Sequence, residues 1–288
     1  DESAGDGAEE GASVGMPLGQ SGAPAEDEDD ADTAPRAAYS DLDVLRRKDF
    51  GDYTLEDHRV LVELLMRFQT AGPWRLSRRK QRHRRGVVDI RRTVRAGFRT
   101  DGDPVRQYRR RPQLKHRRLT FVCDVSGSME AYSLAVLELA HVALVSRRRV
   151  EAFAFATRVT RLTRHLVMRD TAAAVTAATE SVVDWSGGTR VGDCLAELNR
   201  RHRAALQGAV VVIASDGWDL GDPERLAANA AHLQRVAHRV IWVNPRLQDP
   251  LFEPLTRGMS AALPYVDDFI SCHNLASFLD LIELLDRA

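Results

Sequence analysis

The sequence predicts an α/β fold: a doubly wound, mostly parallel sheet, preceded by a helical, arginine-rich N-terminal extension. Three observations lead there. From residue 119 onward, short apolar runs alternate with longer helical patterns, as they do when crossover helices join parallel strands. One run, 209–214, is apolar throughout, as a strand buried on both faces must be. Upstream of 119 the composition turns first acidic and then basic, so the chain there is organised differently.

In chain order, residues 1–36 are mostly Gly, Ala, Ser, Pro, Asp and Glu. They hold too little apolar surface to offset the entropy of ordering and read as a disordered acidic tail. The extension, 37–116, opens with a helix over 55–68. Thr54 and Asp57 have the spacing of a capping box, and Leu61, Leu64, Leu65 and Phe68 form one apolar stripe. Gly72-Pro73 ends it. A basic region covers 78–85. Ile90, Val94 and Phe98 then recur at helical spacing among Arg91, Arg92, Arg95 and Arg99. Gly102-Asp103-Pro104 is a turn, and 105–111 is an exposed strand or an extended linker. The main domain, 117–288, has strands over 119–123, 150–155, 209–214 and 240–243, with 158–162 turning back beside the second. Its helices are expected over 131–145, 171–182, 191–206 and 275–285, with another that begins at Pro223 under an Asp222 cap.

The zero net charge conceals two opposed blocks. Residues 1–33 contain no Lys or Arg, whereas between 75 and 118 only Asp89, Asp101 and Asp103 oppose the cations. No apolar run approaches the roughly 18 residues of a membrane span, and no signal peptide opens the chain. Cys123, Cys194 and Cys272 lack metal-ligand spacing and are expected as buried, reduced thiols of a cytoplasmic protein. The scattered histidines of the main domain nominate no site.

Chemistry concentrates in three stretches: Asp124-Val125-Ser126-Gly127-Ser128, Gly187-Gly188-Thr189 and Ser215-Asp216-Gly217. Each follows an expected strand or opens an expected helix, and in an open α/β sheet such segments gather beyond the carboxyl ends of the strands. The candidate metal residues are Asp124, Ser126, Ser128, Thr189 and Asp216. Two carboxylates and three hydroxyls suit one hard divalent cation, Mg²⁺ by preference, with Mn²⁺ or Ca²⁺ as alternatives. Mostly neutral ligands leave such an ion electrophilic, so an open position attracts a partner's carboxylate. Trp185, Trp218, Asp219 and Arg190 flank these loops and are the partner-contact candidates.

In order and spacing these residues resemble the metal-ion-dependent adhesion site of von Willebrand factor A domains, whose fold is Rossmann-like. A finer similarity, to the CoxE-like subgroup, lies in residues 184–190, 215–219, 243–245 and 262–268, and upstream in 44–50 and the Arg-rich segment. That resemblance implies a bacterial, cytoplasmic protein paired with a MoxR-type AAA+ ATPase. It also implies a chaperone-like role in remodelling or maturing a metalloenzyme, carbon monoxide dehydrogenase being the namesake client. The partner or client would offer an Asp or Glu to the metal, and the extension would carry a second contact, to the ATPase.

Enzymatic readings fare worse. Ser126 lacks the G-x-S-x-G frame of a hydrolase, a D-x-D-x-T nucleophile needs an acid where Ser126 stands, and Gly187-Gly188-Thr189 lacks the lysine of a phosphate-binding loop. The chain is therefore expected not to be an enzyme. The alternative from another class is a nucleic-acid-binding protein using residues 75–118, where phosphate contacts would supply the affinity. Its sparse aromatic residues, Phe98 and Tyr108, argue against base recognition.

Overall fold

The structure is a computed structural model that describes residues 43–67, 73–99, 106–146, 149–182, 188–249 and 256–288. The acidic tail lies outside them, as do Phe68 and Gly72 at the end of the first helix. That helix, α1 (Leu55–Arg67), starts where the capping pair puts it. Asp57 accepts the Thr54 amide at 2.8 Å and returns its own amide to the Thr54 hydroxyl at 3.3 Å. Leu61 and Leu65 are buried, and with Leu45 and Phe50 they enter the same core as the main domain. Phe50 meets Phe278 edge-on with ring centroids 5.5 Å apart.

The rest of the extension departs from the expectation of a helical segment. It is a three-stranded antiparallel sheet carrying one helix: β1 (Trp74–His83), β2 (Val87–Val88), α2 (Ile90–Gly97) and β3 (Arg109–His116), in the order β1-β3-β2. Backbone pairing between β1 and β3 defines these strands, with an irregularity between Leu76 and Lys80. Gly86 closes the turn after β1 at φ +124, where a Cβ would come within 2.6 Å of the Arg110 carbonyl oxygen. Ile90, Val94 and Phe98 do mark a helix, as their spacing predicts.

The main sheet has six strands in the order β6-β5-β4-β7-β8-β9. Its members are β4 (Leu119–Asp124), β5 (Val150–Phe155), β6 (Val159–Arg161), β7 (Val210–Ala214), β8 (Arg239–Val243) and β9 (Asp268–Ile270). Only the edge strand β6 is antiparallel to its neighbour. Side chains alternate between two cores: Val210, Val212 and Ala214 enter one, Val211 and Ile213 the other. The first core is covered by α3 (Glu130–Ser146), α4 (Thr171–Glu180), a late helix over 275–287 and α1. The second is covered by α5 (Val191–Arg201), α6 (Arg203–Leu206), α7 (Pro223–Val236) and α8 (Arg257–Ala262). The late helix is α9 (Leu275–Arg287), begun by a capping box of Asn274 and Ser277.

Three details differ from the sequence reading. The helix expected over 191–206 breaks at His202, whose backbone leaves the helical region at φ −120, ψ 24. Strand β9 and helix α8 are additional; both are too short for a periodic signal to show. Residues 127–146 are apolar and long enough to cross a membrane by composition alone, but most of that stretch is buried inside the domain, where α3 packs against strands and helices. All three cysteines are free and buried, and burial pushes the thiols of Cys123 and Cys194 up to about 12.

Candidate functional site

The chain passes from β4 to β5 on one side and later returns through β7 on the other, so the loops leaving β4 and β7 diverge and open a crevice. Asp124 is the last residue of β4. Its Oδ1 accepts the Ser126 amide at 3.0 Å, which folds the loop back over the strand end. Ser133, in the first turn of α3, donates its hydroxyl to the Asp124 carbonyl and fixes the loop from behind. After β7, Gly217 turns at φ +76, and a Cβ there would lie 3.0–3.2 Å from Met259. Trp242 Nε1 donates to the Ser215 carbonyl at 2.9 Å, and Asn244 Nδ2 donates to the Asp216 carbonyl at 3.2 Å. Buried indole and amide groups thus spend their hydrogen bonds holding this loop.

All five candidate metal residues meet in one hydrogen-bonded array. Thr189 Oγ1 donates to Asp124 Oδ1 at 3.0 Å, and Ser215 Oγ donates to Asp124 Oδ2 at 2.7 Å. The Ser126 and Ser128 hydroxyls lie 3.3 Å apart, and Ser128 donates to Asp216 Oδ2 at 2.9 Å. Asp216 Oδ1 takes the Trp218 amide at 3.0 Å. Asp124, Thr189 and Asp216 are buried. Burial lifts the Asp124 carboxyl above the ordinary range; hydrogen bonds from Ser215 and Ser126 pull it back, and the charge on Asp216 adds to the lift.

Two neighbouring buried carboxylates call for a counter-charge. Here Arg246 ion-pairs with Asp216, its Nε 3.8 Å from Oδ2. Every side chain in the array offers oxygen, which fits a hard divalent cation. Among the described residues no three His, Cys, Asp or Glu cluster as metal ligands, so a cation held here relies on the hydroxyls.

The partner-contact candidates separate. Trp218 is exposed beside the array, with the Arg246 guanidinium 5.8 Å from its ring. Trp185 lies outside the described residues. Arg190 is half-exposed and pairs with Asp193 at 3.4 Å, which Arg225 also holds. Asp219 requires a correction: it is turned inward. Its Oδ1 accepts the amides of Val191 at 2.9 Å and Gly221 at 3.0 Å, and its Oδ2 is buried. Its carboxylate braces the start of α5 instead of pointing out to a partner.

Other residues at the site went unread in the sequence. Ser215 sits inside a triplet already singled out, and Leu220 is exposed beside Trp218. Asp49 reaches the rim from the N-terminal segment. Its Oδ1 accepts the Tyr132 hydroxyl at 3.0 Å and its Oδ2 accepts Gln248 Nε2 at 2.8 Å. Tyr132 opens α3 just after the Ser126–Ser128 loop, and Gln248 shares a turn with Arg246. No local sequence signal links residues so far apart in the chain.

Solved structures similar to this chain include proximal thread matrix protein 1 from the mussel byssus, at 14% identity and TM-score 0.40, covering 59% of this chain and 47% of that one. An aerotolerance-related membrane protein from Bacteroides fragilis aligns at 15% identity and TM-score 0.40, over 59% of this chain and 98% of that one. The mussel protein with a zinc occupied MIDAS motif aligns at 18% identity and TM-score 0.39, over 60% and 45%. This chain therefore spans about half the length of the mussel protein. No curated protein matches it. The family described as VWA domain containing CoxE-like protein matches residues 62–278, well over half of the sequence, and the chain belongs to that family.

Proposed function

We propose that the chain is a docking module that binds a divalent cation and, through it, a carboxylate of a partner protein. Domains of the von Willebrand A type often bind a divalent metal at such a site. The observation that carries the reading is the continuous array of Thr189, Asp124, Ser126, Ser128 and Asp216 at the switch point of the sheet. Ser126, Ser128 and Thr189 would hold the ion directly, and Asp124 and Asp216 would balance its charge, directly or through water. When bound, the cation supplies a Lewis-acid position for an external carboxylate. Mg²⁺ is the ion that best suits this oxygen set, with Mn²⁺ or Ca²⁺ able to replace it.

The chain's own residues shape what can approach. Trp218 and Leu220 present exposed apolar surface beside the array. An open groove lined by Gly127, Ser128, Ala131, Leu134 and Thr179, with the carboxylates of Glu130 and Glu180, begins at the array, so a segment lying in it would follow the partner's acidic residue with apolar or basic side chains. The reading is binding without turnover: among the described residues the hydroxyl partners of Ser126 and Ser128 are each other and carboxylates, with no histidine base. CoxE-like proteins are generally associated with MoxR ATPases, so a MoxR-type AAA+ ATPase is the partner we propose. We propose a cytoplasmic chaperone-like complex acting on a metalloenzyme client of the carbon monoxide dehydrogenase kind.

Calorimetric titration with Mg²⁺ and Mn²⁺ tests the cation step. The native chain should bind one equivalent. Asp124→Ala should weaken binding by at least roughly tenfold to a hundredfold while circular dichroism stays native. Affinity purification with and without EDTA tests the docking step; recovery of the same partners in both would sink it.

A further inference from the structure

We infer that the basic module from β1 to β3 is a second docking surface, fitted to an acidic amphipathic helix of a partner protein. It stands apart from the cation chemistry, since none of its residues belongs to the array around Asp124.

Charge is the first observation. Residues 75–118 hold eighteen Lys and Arg against three Asp. Of those three, Asp89 lies among the described residues, and its carboxylate caps α2 by accepting the Arg92 amide at 3.2 Å. Elsewhere, arginines find carboxylates: Arg161 pairs with Glu151, Arg201 with Glu197 and Arg239 with Asp268. Among the described residues, no arginine of this module pairs with a carboxylate in the same way. A surface of one sign that the described residues leave uncompensated favours a partner of the opposite sign.

The second observation identifies the kind of partner. Thr93 and Gly97 form the inner face of α2, where Thr93 Oγ1 accepts the Tyr108 amide at 3.1 Å. On the other face, Ile90, Val94 and Phe98 are 71%, 51% and 80% exposed. At spacings of four they make one ridge, and the exposed Arg91, Arg95 and Arg99 run beside it at the same spacing. A single exposed apolar residue means little, but three aligned ones flanked by a line of cations match a helix with an apolar stripe and acidic shoulders. A phosphate backbone would use the cations and gain nothing from Ile90 and Val94. Two of the aromatic rings that could stack on bases are already engaged, Tyr108 with Arg92 at 4.1 Å and Trp74 with His116 at 3.7 Å, which leaves Phe98 as the exposed ring of the ridge itself. The ridge therefore favours protein over nucleic acid. With eight residues, α2 is about 12 Å long, so the occupant contributes two to three turns.

The test is fluorescence anisotropy with the full chain in EDTA, which silences the cation site. The probe is a synthetic helical peptide with leucines on one face and glutamates beside them. Its scrambled isomer and a single-stranded RNA oligonucleotide of similar charge serve as comparisons. The amphipathic peptide should bind about tenfold more tightly than the scramble. Val94→Ser with Phe98→Ser should erase that difference, and Arg91→Glu with Arg95→Glu should remove binding by either peptide. These side chains are exposed, so thermal melts should stay native; the comparison of two peptides on the native chain needs no variant at all. Equal binding of both peptides would reduce the surface to charge alone and overturn the inference. RNA binding that exceeds the peptide's and ignores the serine pair would assign the face to nucleic acid instead. A dimer dissolved by the serine pair would make it a self-interface. No peptide binding by the full chain would also refute it, whether the chain's own acidic residues cover the ridge or nothing does.

Discussion

Arg246 stands where an incoming cation would have to share its carboxylate. Its Nε lies 3.8 Å from Asp216 Oδ2, and its side chain is half-exposed at 48%. A fixed positive charge beside the site opposes a divalent ion, by on the order of 1–2 kcal/mol with the full screening of bulk water. Replacing Arg246 with Gln should therefore tighten Mn²⁺ binding by about tenfold in a calorimetric titration. Weaker binding in the variant would mean that the guanidinium holds the array together instead. The five oxygen donors could be read from the sequence because their chemistry resides in residue type and their spacing survives folding. Orientation could not. Asp216 and Asp219 stand three apart on one loop, yet one carboxylate joins the hydroxyls and the other turns back to the Val191 amide. Ser215 was hidden for the same reason, since its hydroxyl acts only because β4 lies beside β7.

At the scale of elements, α1 is held by a pH-sensitive cap and a hydrophobic anchor. The Lys48 hydrogen bond, with the Thr54 backbone behind it, lowers the Asp57 carboxyl from 3.8 to about 2. A depressed acid contributes stability that is present above its unfolded value and lost as pH falls through its folded one. Docking of α1 should thus weaken between pH 3.8 and about 2, and Asp57→Asn should remove that part of the acid titration while lowering the melting midpoint. Far-UV circular dichroism across that window measures both. Phe50→Ala should cost about 3–5 kcal/mol in urea unfolding, because it empties a buried slot against Tyr53 and Phe278. It should also expose residues 43–67 to limited proteolysis. The parallel sheet and its helices were legible because burial on both faces writes itself as apolar runs. Strand β1 was not, and β3 only at its start, within the exposed strand or linker read over 105–111: their residues are arginine-rich and mostly exposed, so no alternation of apolar side chains marks them. Only the pairing between two distant segments makes them strands.

The whole molecule keeps its two candidate contact surfaces on different physical footing. As proposed, one would depend on a cation among buried oxygens, the other on screened charge and an exposed ridge. Removing divalent ions should abolish partner binding at the first and spare the second; raising salt should weaken the second much more than the first. Pull-downs across both conditions separate them, and loss of both together under either treatment would argue for one shared surface. A further consequence follows from Asp49, whose two oxygens reach opposite lips of the crevice through Tyr132 and Gln248. The neighbouring backbone is pinned to the head of α9, where the Phe50 amide donates to His273 O at 2.8 Å. The stretch ahead of α1 therefore braces both lips of the crevice where we propose the ion is held. Pried loose, by a protease or by a machine that pulls on the front of the chain, it should let the crevice slacken with Asp124, Ser126, Ser128, Thr189 and Asp216 all still present.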